Sequence, residues 1–134
     1  MIGLVVATHG TLGQALLDTV AMIIGPSDGA CAVSLSREQA PEQLHALLCS
    51  AIRQVAPVDG VLIVVDMFGG TPANVAMTLL EPGRVEVLAG VNLPMLLKFF
   101  TYRHNCSLDR LAQRLMDQAR EGILLASAAV GPPS

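Results

Sequence analysis

The chain has 134 residues, a length at which one domain buries a substantial core, and 52% of them are hydrophobic while 14% are charged and 3% aromatic. A formal charge of −3, no basic cluster and few stacking rings exclude a nucleic-acid binder, which needs Lys and Arg to replace condensed counterions. Gly, Pro or a charge breaks every apolar run before the roughly 20 residues of a membrane-spanning helix, so direct membrane insertion is excluded too.

No Lys or Arg precedes the first apolar run, so a cleaved signal peptide is not expected. Cys31, Cys49 and Cys106 form no C-x-x-C pair and fit reduced thiols in a cytoplasm, packed as small core hydrophobes.

Short apolar runs alternate with helical patterns. Residues 2–8 read as a buried strand, and residues 11–24 as a helix with a stripe of Leu12, Leu16, Val20 and Ile23, stopped by Gly25-Pro26. Residues 30–35 form the second strand. Residues 41–55 carry Leu44, Leu47, Leu48, Ala51, Ile52 and Val55 at helical spacing, and Pro57 and Gly60 close that helix. A third strand covers residues 60–66. Thr71 as cap and Pro72 in the first turn start a helix that runs through Ala76 to Leu80, before Glu81-Pro82-Gly83. Residues 84–89 are the fourth strand, residues 95–103 a helix, and Ser107 caps a last amphipathic helix that ends at Gly122. Residues 123–127 read as one more short strand and 128–134 as a flexible tail ending in Gly131-Pro132-Pro133-Ser134.

This alternation predicts a single doubly wound α/β domain over residues 1–134, with a mainly parallel four-stranded sheet and helices on both faces. In the strand order 2-1-3-4 the ends of strands one and three are neighbours at the switch point, where such sheets keep their ligands. His9 stands at the first of these ends and Asp66 at the other.

A lone histidine is ordinarily a surface or satisfied core residue, and the facing carboxylate is what sets His9 apart. If Asp66 accepts a hydrogen bond from Nδ1–H, it fixes the tautomer and leaves the Nε2 lone pair as a nucleophile. The same pairing stabilises a cationic ring, whether imidazolium or a phosphorylated imidazole. Amides near Gly10, Thr11 and Leu12 and the dipole of the following helix suit a phosphoryl dianion. Gly69-Gly70 lets backbone approach closely, and Thr8, Thr11 and Thr71 offer hydroxyls.

Other chemistries fit less well. His45 and His104 lie far along the chain, on helix surfaces, so no metal site is expected. Neither G-x-G-x-x-G nor G-x-x-x-x-G-K-[ST] occurs, and no cofactor is called for. A phosphatase acting on small phosphomonoesters needs arginines beside its histidine, whereas here the neighbour is Thr8. A protein-to-protein relay can take its missing cations from partners.

Val6-Ala7-Thr8-His9-Gly10, Asp66-Met67-Phe68-Gly69-Gly70-Thr71-Pro72-Ala73-Asn74 and Gly90-Val91-Asn92-Leu93-Pro94-Met95-Leu96 resemble three signatures of one family, and Arg120-Glu121-Gly122-Ile123 resembles its end. That family is the enzyme IIA component of the mannose-type phosphoenolpyruvate-dependent sugar phosphotransferase system. The resemblance implies a phosphotransferase whose His9 takes a phosphoryl group on Nε2 from HPr and passes it to a IIB component for sugar uptake, with Asp66 orienting the ring. It also implies a cytoplasmic homodimer that exchanges the last strand, here residues 123–127. The residues' own chemistry makes Gly10, Thr11, Gly69, Gly70 and Thr71 the candidate phosphate contacts. Met67, Phe68, Leu93, Pro94 and Met95 are a candidate docking rim, with core packing as their other reading. Thr71 keeps the hydroxyl of the family's commoner serine, and Ala73 replaces a residue that is often larger, which bears on partner choice. A regulatory IIA protein without transport, or the IIA-like component of a dihydroxyacetone kinase relay, are the alternatives the same residues allow.

Overall fold

The computed structural model describes residues 1–55 and 59–130, in which four strands alternate with helices. In chain order these are β1 (Gly3–His9), α1 (Leu12–Ile24), β2 (Ala30–Leu35), α2 (Pro41–Gln54), β3 (Val61–Val65), α3 (Thr71–Met77), β4 (Val85–Ala89), α4 (Leu93–Tyr102), α5 (Leu108–Glu121) and α6 (Ala126–Ala129). The sheet is parallel throughout, in the expected order β2-β1-β3-β4.

β1 and β3 are apolar on both faces because both faces are covered by helices. Ile2, just before β1, and Leu4, Val6, Leu62 and Val64 meet Val20 of α1, Leu96 and Phe99 of α4, and Leu108, Leu111 and Leu115 of α5. Val5, Ala7, Ile63 and Val65 meet Leu44 and Leu48 of α2 and Ala73, Val75 and Ala76 of α3 on the opposite face. Each such aliphatic side chain contributes about 1.5–3 kcal/mol on burial. The end of β1 is therefore held by core on both sides of the sheet.

At the opposite end of β1, Arg103 is buried and its guanidinium is spent on backbone. Nε and Nη2 donate to the Ile2 carbonyl at 3.1 and 2.8 Å, and Nη1 donates to the Asp28 carbonyl at 2.7 Å. The charge lies over the Phe99 ring, 5.0 Å from its centre. It ties the starts of β1 and β2 to α4.

Several sequence expectations need correction. Residues 123–127 do not form a fifth strand: Ile123, Leu124 and Leu125 are exposed, and Ala126 begins α6. A strand exists only with a neighbour to share its ladder, and within the described residues these have none. The tail expected from residue 128 is helical through Ala129, and residues 131–134 lie outside the described residues, as does Pro57. Thr71 does not cap α3; Gly70 holds the cap position without a side-chain bond, and the helix ends at Met77 rather than Leu80. α4 starts at Leu93, two residues earlier than expected, because the Asn92 side chain accepts the Met95 amide at 3.1 Å. Leu12 and Ile23 are exposed, so the buried side of α1 runs through Gly13, Leu16, Leu17 and Val20. His45 is exposed on α2, but His104 sits in the turn after α4 rather than on a helix. Cys31, Cys49 and Cys106 are all only partly buried.

Candidate functional site

β1 delivers Thr8 and His9 to the carboxyl edge of the sheet between β2 and β3, at the point where strand order reverses. Thr8 is completely buried, and its Oγ1 accepts the Gly13 amide at 2.7 Å. Its hydroxyl therefore caps α1 from outside the usual cap position and is not free for a ligand. α1 approaches this closely only because residue 13 is glycine: a Cβ there would lie 2.9 Å from the Val6 carbonyl oxygen.

Gly10 makes the turn out of β1 with φ of 56°, a left-handed conformation that suits glycine. Its amide donates to the Leu35 carbonyl at 3.1 Å, and its carbonyl accepts the Ser34 hydroxyl at 2.6 Å. The Gly10 amide expected to meet a phosphate is thus occupied by β2. The chain beyond it passes through Thr11 into α1.

Asp66, one residue beyond β3, holds His9 by two bonds to the same oxygen. Oδ2 accepts the His9 backbone amide at 2.9 Å and stands 2.9 Å from Nδ1. The second oxygen, Oδ1, accepts the Met67 amide at 3.0 Å. Partial burial pushes the Asp66 carboxyl up, but the His9 amide, ring and charge and the Met67 amide outweigh it and hold it below the ordinary carboxylate range. The aspartate is therefore ionised near neutral pH and selects the tautomer with the proton on Nδ1. In that tautomer the lone pair is on Nε2. The His9 side chain is 50% exposed and that of Asp66 15%, so the ring is open to solvent while the carboxylate beside it is shielded.

His9 lines a pocket of about 270 Å³ together with Ser36, Arg37, Gln39, Leu44, Thr71 and Pro72. Thr71 and His9 thus line one pocket. Gly10 and Thr11 line a separate hollow with Gln14 and Ser34, and Gly69 and Gly70 line neither. A larger depression of about 440 Å³ between α1 and β2 contains neither His9 nor Asp66 and so lies away from the chemistry.

Met67 and Phe68 stand exposed, 57% and 73%, immediately after Asp66. Leu93 and Pro94 are half-buried, whereas Met95 is 1% exposed and belongs to the core, which removes it from the docking rim. The Asn92 amide group also donates to the Ala119 carbonyl at 2.8 Å, and Pro94 packs so closely on Gly122 that a Cβ there would meet it at 2.6 Å. The third signature segment is therefore a joint between α4 and α5.

Ser36, Arg37 and Gln39 were not singled out from sequence. A signal for them exists: His9 pairs with Leu35 in the sheet, so the residues that follow β2 must emerge beside the histidine. Arg37 brings a basic residue to the lining of this pocket, which the sequence pattern alone does not indicate. Among the described residues no group of three or more His, Cys, Asp or Glu side chains could hold a metal ion, and no helix is long and apolar enough to cross a membrane.

Residues 3–116 match the EIIA-man family model, described as the PTS system fructose IIA component. The PTS system fructose-specific EIIA component of Bacillus subtilis is 30% identical over 128 residues, covering 95% of this chain and 88% of that protein. The PTS system mannose-specific EIIAB component of Escherichia coli K12 is 31% identical over 124 residues, but the aligned part is 38% of its length. Among solved structures, the mannose/sorbose specific IIA subunit from Enterococcus faecalis superposes with a TM-score of 0.80 at 28% identity, over 92% of each chain. Component EIIA from Streptococcus agalactiae reaches a TM-score of 0.84 at 23% identity, over 94% of this chain and 98% of that one, which speaks for the fold alone.

Proposed function

Because the chain belongs to the mannose-type family of phosphotransferase-system IIA components, we propose that it is a phosphocarrier in which His9 takes a phosphoryl group from phospho-HPr and yields it to a IIB component. The bidentate hold of Asp66 Oδ2 on the His9 amide and Nδ1 carries this reading, since it leaves Nε2 as the one free nucleophilic nitrogen of the ring.

In the transfer, the bond from phosphorus to the donor's nitrogen breaks as the bond to Nε2 forms. The proton on Nδ1 stays in place, and the ring becomes a cation that the ionised Asp66 stabilises. Thr71, which shares the pocket with His9, is a hydroxyl donor to the transferred group. Exposed Met67 and Phe68 form the apolar rim on which a partner docks, with half-buried Leu93 and Pro94 as further candidates.

The proposal extends to a cytoplasmic homodimer. β4 is an edge strand and residues 123–125 expose three consecutive apolar side chains, a combination that suits exchange of this segment onto a second copy's sheet.

The test is incubation with phosphoenolpyruvate, enzyme I and HPr. Acid-labile label is expected on His9 and none on a folded His9→Ala variant. Equal labelling of that variant would reject the relay.

A further inference from the structure

We propose that Arg37 clamps the phosphoryl group carried by His9, so that this chain supplies in cis a cation for its own phosphorylated state. The inference rests on the relay reading of His9 and adds a residue to it.

The placement follows from the sheet. His9 lies opposite Leu35, and the Gly10 amide extends that pairing by donating to the Leu35 carbonyl. The two residues after β2 therefore emerge at the same carboxyl edge as the histidine. Ser36, Arg37 and Gln39 accordingly share with His9 and Thr71 the pocket of about 270 Å³, room for a phosphoryl group.

The loop that carries Arg37 is held rather than slack. Gln39 Oε1 accepts the Ser36 amide at 2.9 Å, and Gln43 Oε1 accepts the Ala40 amide at 2.8 Å at the start of α2. Arg37 rides on this turn. Its side chain is exposed, and among the described residues it makes no ion pair, although Glu38 is adjacent. Among the described residues it is the only Lys or Arg lining the pocket with His9.

The electrostatics of the unmodified and modified states differ. Before transfer, the only carboxylate bonded to the ring is Asp66, which is already committed to His9 and Met67. After transfer, the pocket gains a dianion with oxygens that a planar guanidinium can bind in pairs. Ser36 and Thr71 line the same space, and their hydroxyls are further donors for the modified state. Arg37 thus stabilises the phosphorylated form selectively and moves the phosphoryl equilibrium toward His9.

The measurement is the equilibrium distribution of phosphoryl groups after phospho-HPr is mixed with wild type, Arg37→Gln or Arg37→Lys, read by phosphorus NMR with thermal melts to verify folding. One charge-assisted contact present only after transfer makes the wild-type constant about tenfold more favourable to phospho-His9 than that of Arg37→Gln, with Arg37→Lys between them. Equal constants for wild type and Arg37→Gln, with normal labelling of His9 in both, overturn the clamp and leave the relay standing. Absence of label on wild-type His9 overturns the relay and the clamp with it.

Discussion

A single oxygen of Asp66, Oδ2, lies 2.9 Å from both the main-chain amide and the ring Nδ1 of His9, so one atom fixes the position of the residue and the tautomer of its side chain. Backbone and ring are normally oriented by different neighbours. Here they are referred to the same point, which makes the direction of Nε2 a property of the sheet edge.

Replacing Asp66 by Ala is expected to leave the fold intact, since the residue follows β3 and its side chain is outside the core. It removes the hold on the ring while keeping the nucleophile, and phosphoryl transfer to His9 is expected to slow by about 10–100-fold. Rapid-quench transfer from phospho-HPr measures this. Unchanged rates would remove Asp66 from the mechanism.

The same carboxyl links stability to acidity. Its pKa is lower in the folded chain than in the unfolded one, so its stabilising contribution is complete above the ordinary carboxylate value of about 4 and is lost as the pH falls through the folded-state value. Melting temperatures of wild type and Asp66→Asn measured from pH 6 downward are expected to converge on the acid side. A constant offset between the two down to the lowest pH would show that the ionised aspartate is not the source.

Thr8→Val keeps the shape of the buried side chain but strips the acceptor from the Gly13 amide. A loss of about 1 kcal/mol is expected, by analogy with other helix caps, and Thr8→Ser is expected to restore most of it. Urea unfolding of the three proteins decides this. If Val and Ser variants match, the hydroxyl is not the cap.

Exchange of the C-terminal segment is tested by charge. Leu124→Glu places a carboxylate in the middle of the exposed apolar run at residues 123–125. Sedimentation of a wild-type dimer and a monomeric variant is the expected pair of results; a variant that remains dimeric places the interface elsewhere.

Much of the fold was legible because β1 and β3 are covered on both sides and so read as largely apolar runs, while Gly and Pro mark the ends of several helices. Parallel topology allows the strand order 2-1-3-4 without fixing it, and given that order His9 and Asp66 face one crevice, as the sheet shows. The illegible parts have specific physical reasons. Residues 123–125 have strand composition, but pairing is a relation between segments, and composition cannot provide the neighbour. Thr8 looked like a free hydroxyl because its bond to Gly13 depends on how closely α1 settles on β1, a distance set by a missing Cβ. Met95 and Leu96 follow partly buried residues 91–94 and are both in the core, on the inward side of a helix that starts at Leu93, earlier than the sequence pattern implies. Arg37 sits in a loop without periodicity, so its proximity to His9 became readable only through the pairing of His9 with Leu35.

β1 is an inner strand, with β2 on one side and β3 on the other, and its last residue is His9. The His9 ring is therefore mounted on the end of an inner strand, paired with Leu35 of β2, and its surroundings on loops. In the proposed relay, a donor and an acceptor that visit in turn meet a ring anchored to the sheet, and adjustment to the encounter falls to the visitor and to the loops around the histidine. A carrier built this way favours neither direction of traffic by moving. The direction is left to the relative phosphoryl affinities of the proteins on either side.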